Sequence, residues 1–521
     1  MPPTSRYPGV YIEEIPAALS PPPGGATTTL AAFIGAARRG PVNTPLKVGS
    51  AHDYELHFGS PRAEDTLGHA VQHYFRNGGR EACIVRVFNG DPAACTATLA
   101  LPAGDGQLTL EAASPGSWGR HLRATVDHMT GGAADEPYFN LTLEELGAGG
   151  NAINTEVFRD LCCNPDSPRF IDAALARSSR LTRVRHGLPA GTRPDPGAVA
   201  ILDGRGQPTS AATPGSDGAP VGDAELVGER HAGTGLHALE GIPFKLLCLP
   251  PPQRDTEVAP ASWAEAAAYC QQRRAMLMMD APAHWSTPPL GAELRALRER
   301  IGLTAAANVA LYFPRLLFAD PLAGNRAAAF APCGAIAGVI VRNDAERGVW
   351  KAPSGESAQL LGALDGAQRL DDAQQRQLNQ QGLNCLRSFP GRGWVAWGAR
   401  TLAGADELGS EWKYISVRRL ALFIEQGLEE ALAWAAFEPN GEALWARLRR
   451  EAGGFMLALM RQGAFQGGKP EEAFFVHCGR ESTSPAELVE GRIVLQLGFA
   501  PIRPAEFILL RLRLPTADLA A

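Results

Sequence analysis

The end of the chain constrains its fold more than any other stretch. From Glu506 to Leu514 it reads EFILLRLRL, with Leu510, Leu512 and Leu514 alternating with Arg511 and Arg513. A period of two marks a strand with one buried face. Such a strand needs neighbours for its backbone groups and its apolar face. Two extended runs precede it, EEAFFVH and RIVLQLGF. Ile493–Phe499 offers a local antiparallel partner, reached through Ala500 to Pro504. A sheet of another molecule offers a second, and local pairing still leaves an open edge that invites one more strand. Upstream, Leu420, Ile424, Leu428, Ala431, Leu432 and Ala435 recur at helical spacing, and Pro439, Asn440 and Gly441 break the pattern. Leu444, Leu448, Phe455, Met456 and Leu459 stripe a second helix.

Composition sets the outer bounds. A chain of 521 residues has room for about three to four domains with substantial cores. An apolar share of 45% and a charged share of 20% fit a soluble globular protein. The net charge of −6 argues against a nucleic-acid coat or a membrane-surface binder. No basic domain hides at the end, since Trp412–Ala521 holds 13 Lys/Arg against 13 Asp/Glu. The longest apolar run, Ala327–Val341, is interrupted by Pro332 and is too short to cross a bilayer. The chain opens on prolines and YPGVYIEEI rather than a charged-then-apolar leader, so a protein made and kept in the cytoplasm is expected. Nine scattered cysteines without a CxxC pair predict buried free thiols rather than disulfides or a zinc knuckle.

Read in order, residues 1–25 form an N-terminal arm and linker, with Pro21-Pro22-Pro23-Gly24-Gly25 as a stiff spacer ending in a swivel. Residues 26–91 read as α/β: LAAFIGA extended, Asp65–Arg76 helical, ACIVRVF a buried strand. From 92 to 235, short alternating segments such as TATLAL, QLTLEA, HLRATVD and FNLTLEE predict a small antiparallel β domain. Its last part, Leu188–Gly235, is rich in Gly, Pro, Ala, Asp and Thr and reads as a loop or disordered excursion. From 236 to 411 strand–helix alternation returns, predicting parallel strands with right-handed crossovers. There Ser262-Trp-Ala-Glu265 has the form of a capping box. Residues 412–521 form the C-terminal domain and arm. The fold class is therefore α/β and α+β multidomain: a core with a largely parallel sheet, an inserted antiparallel β domain, and C-terminal helices and strands with extended terminal arms.

Candidate chemistry is sparse. His69 and His73 have the spacing of the outer residues of HExxH, but Ala70 replaces the general base, so a solvated helix face is expected. Asp280, His284 and Ser354 make an imaginable triad, yet the first two are local neighbours and Ser354-Gly355 lacks a nucleophile elbow. Gly467-Gly468-Lys469 runs into Pro470 and is no complete phosphate loop. No catalytic, cofactor-binding or metal residue is expected.

Several segments resemble contractile tail sheath proteins of bacteriophages and related contractile injection systems. WKYISVRRL (Trp412–Leu420), FEPNGEALWARLRR (Phe437–Arg450) and GKPEEAFFVHC (Gly468–Cys478) are similar to the family's C-terminal domain. NDAERGVWKAPSG (Asn343–Gly355), GLNCLRSFPGRGWVAWGARTL (Gly382–Leu402) and YPGVYIEEIP (Tyr7–Pro16) look like further family motifs. SPGSWG (Ser114–Gly119) and EVFRDLCCNPDSPRF (Glu156–Phe170) resemble its second domain. The resemblance implies a non-catalytic, subtilisin-like core and many copies stacked as helical rings around an inner tube. Its implied partners are the inner tube protein, baseplate and terminator or cap proteins, with no nucleic acid and no membrane insertion. It places the chain in a virion tail, a tailocin or an injection particle, assembled in the bacterial cytoplasm. It also implies that terminal arms complete sheets in neighbouring subunits, through Val10, Tyr11, Ile12 and Ile15 at one end and Ile508, Leu510, Leu512 and Leu514 at the other. Helical spacing gathers Lys413, Arg418 and Arg419 into a positive rim, either a solvated helix end or a contact with the tube. An α/β hydrolase and a passive capsid or tube protein are the alternative classes.

Overall fold

Apolar runs become central strands where helices cover both faces of a sheet. In the computed structural model, the described residues are 29–63, 65–131, 137–147, 149–202, 209, 212–285, 291–489, 492–502 and 508–515, with the backbone alone for 437, 489 and 508–515. They divide into two units, one ending at Arg419 and one starting at Leu420.

The first unit opens with β1 (Ala31–Gly35), buried at every residue, and β2 (Leu46–Val48). α1 (Ala51–Phe58) follows, capped by Ser50, whose hydroxyl accepts from the Asp53 amide at 3.0 Å. α2 (Leu67–Arg76) and β3 (Ala82–Arg86) complete this part.

The chain then leaves the sheet. α3 (Pro92–Cys95), β4 (Thr98–Ala103), β5 (Gly106–Ala112), β6 (Leu122–Asp127), β7 (Phe139–Leu146), β8 (Ala152–Leu161), α4 (Ile171–Ser178), β9 (Thr182–His186), β10 (Gly197–Ala200), β11 (Ala212–Thr213) and α5 (Asp223–Val227) come next. The strands form two four-stranded antiparallel sheets, ordered β10-β6-β7-β8 and β11-β4-β5-β9. Their buried faces share one cluster around Leu99, Leu110, Trp118 and Leu141. Arg86 ties this insertion to the core: its guanidinium, buried and lowered to about 10 by burial, donates to the carbonyls of Ala37, Gly40 and Pro115.

Within Leu188–Gly235 most described residues are irregular, but three short elements anchor the stretch. β10 pairs with β6, β11 pairs with β4, and Leu226 of α5 is buried in the core of the main sheet. Edge strands bond through their backbone, so this segment needs few large apolar side chains to be held.

The return adds β12 (Leu246–Cys248), α6 (Pro260–Gln272), β13 (Met276–Asp280), α7 (Gly291–Ile301), α8 (Leu303–Ala306) and β14 (Val309–Phe313). After these come β15 (Leu316–Asp320), β16 (Arg326–Phe330), α9 (Cys333–Arg347), β17 (Ala363–Gly366), α10 (Asp372–Gln380), β18 (Asn384–Phe389) and β19 (Gly393–Ala396). The main sheet is ordered β19-β18-β14-β13-β12-β1-β3-β2. β18 to β3 run parallel as expected, and β2 and β19 close the two edges antiparallel. β15, β16 and β17 form a small antiparallel sheet of their own.

On one side α9 lies directly on α2. A Cβ at Gly334 would stand 2.1 Å from the Ala70 carbonyl oxygen and one at Gly338 2.4 Å from that of Tyr74, so only glycine permits the approach. On the other side Trp263, Ala266 and Cys270 of α6 and Leu294 of α7 fill the core. The helix α6 starts earlier than its capping-box pattern suggests. Pro260 takes the first turn, the Ala259 amide donates to Asp223 Oδ1 at 2.8 Å, and Ser262 is buried inside the helix. All nine cysteines are free, eight of them buried and Cys95 half-buried.

α11 (Ile415–Ala431) carries the chain into the second unit. A 3₁₀ turn (Ala433–Phe437) and α12 (Glu442–Arg461) follow, with Asn440 accepting from the Trp445 indole at 2.8 Å in the predicted break. α13 (Pro470–Ala473), β20 (Phe474–Cys478), α14 (Pro485–Val489), β21 (Arg492–Phe499) and β22 (Ile508–Pro515) end the described chain. The three strands form an antiparallel sheet with β21 at its centre.

Candidate functional site

The residues with catalytic potential are engaged elsewhere. Asp280 ends β13, where its Oδ1 accepts from the Cys333 amide at 2.8 Å and burial pushes its carboxyl up to about 6. His284 is exposed and its Nδ1 lies 3.0 Å from Glu257 Oε1, while Ser354 sits half-buried in the loop after α9. The amides of Gly468 and Lys469 both donate to Glu472 Oε2, at 2.9 and 3.3 Å, so a carboxylate of the chain occupies the would-be phosphate cradle. Among the described residues no group of three or more His, Cys, Asp or Glu could hold a metal.

His69 and His73 overturn the expectation of a solvated face. Both are buried, at 2% and 7% exposure. His73 stacks on Phe318 at 3.8 Å and meets Phe330 edge-on at 5.2 Å, while His69 tilts against Phe330 at 4.9 Å. Beside them Arg254 lies over the Phe330 ring at 4.6 Å and pairs with buried Asp320 at 2.6 Å. Burial first, then the charges of His69 and Arg76, holds His73 down to about 3. The β15–β16 hairpin supplies this cover from about 250 residues downstream in the chain, which helical periodicity within α2 cannot reveal.

The basic residues around the start of α11 have separate partners. Lys413 Nζ lies 2.5 Å from Asp406 Oδ1, a carboxylate that Arg400 also holds at 2.9 Å. Arg418 donates to Asn308 Oδ1 at 3.1 Å and covers the Trp412 ring at 4.6 Å. Arg419 is buried and grips Asp344 with two bonds, of 2.7 and 2.5 Å, while Thr29 donates to the same carboxylate at 2.7 Å. Two motifs, NDAERGVW and WKYISVRRL, thus meet through one part-buried ion pair between residues 75 positions apart.

The second unit holds the other candidate surface. β22 pairs with β21 in a register that sets Ile508 opposite Phe499, Leu510 opposite Leu497, Leu512 opposite Leu495 and Leu514 opposite Ile493. The β21 partners are buried. The local alternative for the terminal strand is therefore the one observed. Val10, Tyr11, Ile12 and Ile15 lie outside the described residues.

Comparison with known proteins places this architecture. Residues 226–402 match the phage tail sheath protein central domain and residues 407–514 the phage tail sheath C-terminal domain, together more than half of the chain. The tail sheath protein of Vibrio phage KVP40 is 26% identical over 187 residues, which cover 36% of this chain and 26% of that protein. The matched stretch spans about a quarter of the length of the curated relatives. In fold, the sheath tail protein of Listeria innocua is similar over 93% of this chain and 94% of its own, with a TM-score of 0.62 at 12% identity. The helical sheath of the anti-feeding prophage in its contracted state is similar over 97% and 98%, with a TM-score of 0.55 at 23% identity. With both sheath domains present in order, the chain belongs to the phage tail sheath protein family.

Proposed function

We propose that this chain is the structural subunit of a contractile sheath, which polymerises as stacked helical rings around an inner tube and contracts to drive that tube through a target envelope. The ordered pair of sheath domains over 226–402 and 407–514 carries the reading. Contraction rotates rigid subunit bodies about their connecting arms, with energy from new subunit contacts and no nucleotide. The N-terminal strand of one subunit and the C-terminal strand of another join a third subunit's sheet, where main-chain hydrogen bonds give strength and side-chain alternation fixes register. Baseplate and terminator or cap proteins bound the polymer. Neither nucleic acid nor membrane insertion enters the role, and no described helix is long and apolar enough to cross a membrane. The insertion 92–235 decorates the outside. The rim of Lys413, Arg418 and Arg419 faces acidic groups of the tube, though buried Arg419 has no exposed charge to contribute in this conformation.

Electron microscopy of the purified chain tests the reading: striated sheaths or wide polysheaths are expected. Smooth, non-contracting tubes or shells would favour the passive assembly protein. Deleting Met1–Ile15 should leave a folded monomer that forms no sheath, and regular sheaths from that variant would rule out the handshake. Charge reversal of Arg418 should weaken assembly on tubes more than folding. An enzyme reading finds no support in the separate engagements of Asp280 and His284. Labelling by a broad serine-directed probe would revive it.

A further inference from the structure

β22 runs antiparallel beside β21 over eight residues, from Phe499 opposite Ile508 to Arg492 opposite Pro515. It forms one end of its sheet, and β20 forms the other. This ladder satisfies the backbone edge of β21 that would otherwise invite another strand. A second copy's C-terminal strand that replaces the chain's own β22, rather than adding beyond it, needs that same edge. The edge accepts one strand, so pairing within a chain and pairing between chains exclude each other. Both states use the same residues, which makes the swap cheap once the connection between the strands opens.

We propose that the isolated subunit is self-capped: its own β22 occupies the edge of β21 that a second copy's β22 takes in the polymer, and release of β22 gates assembly. The inference rests on the strand-exchange reading. Only eight residues join the two strands, and a short tether holds its strand at an effective concentration in the millimolar range. Free subunits at micromolar concentration therefore stay closed. At a growing sheath end, where neighbouring edges and strands are already aligned, the competition turns toward exchange. A sheath protein of this kind remains unpolymerised until a template presents the neighbour.

The test is a reversible staple. Gln496 is the half-buried position on an otherwise largely buried β21, and it stands opposite Arg511. Residues directly opposite in an antiparallel pair are close enough for cross-linking. Gln496→Cys with Arg511→Cys is made in the full chain, with Cys95→Ser to remove the only native thiol that is not buried. Oxidation at low micromolar concentration should give an intrachain bond. Addition to sheared sheath seeds, read by sedimentation and microscopy, should then show at least a tenfold loss of growth that reductant restores. Interchain linkage alone in the dilute sample would overturn capping within the chain. Seeded growth of the stapled protein at the reduced protein's rate would overturn its gating role. Failure of the exchange reading is distinguishable, because the Met1–Ile15 deletion would then still form sheaths.

Discussion

Replacing His73 by Phe should remove acid sensitivity from the α2–hairpin contact. The ring is nearly fully buried between Phe318 and Phe330, and its pKa is held at about 3 against an ordinary value of about 6.5. Because the folded-state value is depressed, the neutral ring is the stabilising form. Its contribution is complete above about pH 6.5 and is lost as the pH falls toward 3. At pH 5 the loss is about 2 kcal/mol, since 1.5 units separate that pH from the unfolded value and each unit carries about 1.4 kcal/mol. His69 is shifted in the same direction by burial and by Arg254. The assay is hydrogen exchange of the peptides spanning Leu67–Arg76, corrected for intrinsic rates. Protection in the natural chain should fall about 30-fold between pH 7 and pH 5, while His73→Phe, which keeps an aromatic ring in the stack, should change far less. Equal pH dependence in the two proteins would refute the argument.

Asp280 has the opposite sign: its folded-state carboxyl is raised to about 6 by burial, so the charge costs stability at neutral pH. Asp280→Asn should raise the melting temperature relative to the natural chain at pH 8, and the gain should shrink toward pH 5 and be smallest near pH 4. Arg419→Ala leaves the part-buried carboxylate of Asp344 without its cation; a loss of about 3 kcal/mol is expected from denaturant unfolding of the first unit, and under 1 kcal/mol would place the pair in water. Asp217→Ala removes the ion pair to Arg62 and both bonds from Ser117. It should cost about 1–3 kcal/mol, seen as faster exchange of the Ser114–His121 amides with no change in α12.

Much of the main sheet is legible because its strands are contiguous apolar words. MLMMD and VALYF are buried at every residue and allow no other placement. The terminal strand is equally plain, since Leu510, Leu512 and Leu514 offer only one face to a sheet. What local pattern misses is contact between distant segments. His69 and His73 read as polar until Phe318 and Phe330 are folded onto them. Arg419 reads as part of a basic rim until Asp344 is placed beside it. The start of α6 is displaced because Pro260 and Asp223 together outcompete a capping box whose Ser262 the core needs for packing. Within Leu188–Gly235 the short strands β10 and β11 escape notice because they are held by backbone bonds, which leave little trace in composition.

The edges of the main sheet bear on how such a chain survives crowding by its own copies. β2 offers three residues at one edge and β19 four at the other, both antiparallel caps on a parallel array. Stubs of that length are poor templates for fusion with a stranger's sheet. Among the described residues of the second unit, the long strand at a sheet end is β22, with eight residues. A polymer-forming molecule built this way keeps its long strand edges off the main sheet, at β22 and at β8 of the insertion. Errors in which large sheets zip together, the usual route to amorphous fibres, are blocked by geometry before any chaperone is involved.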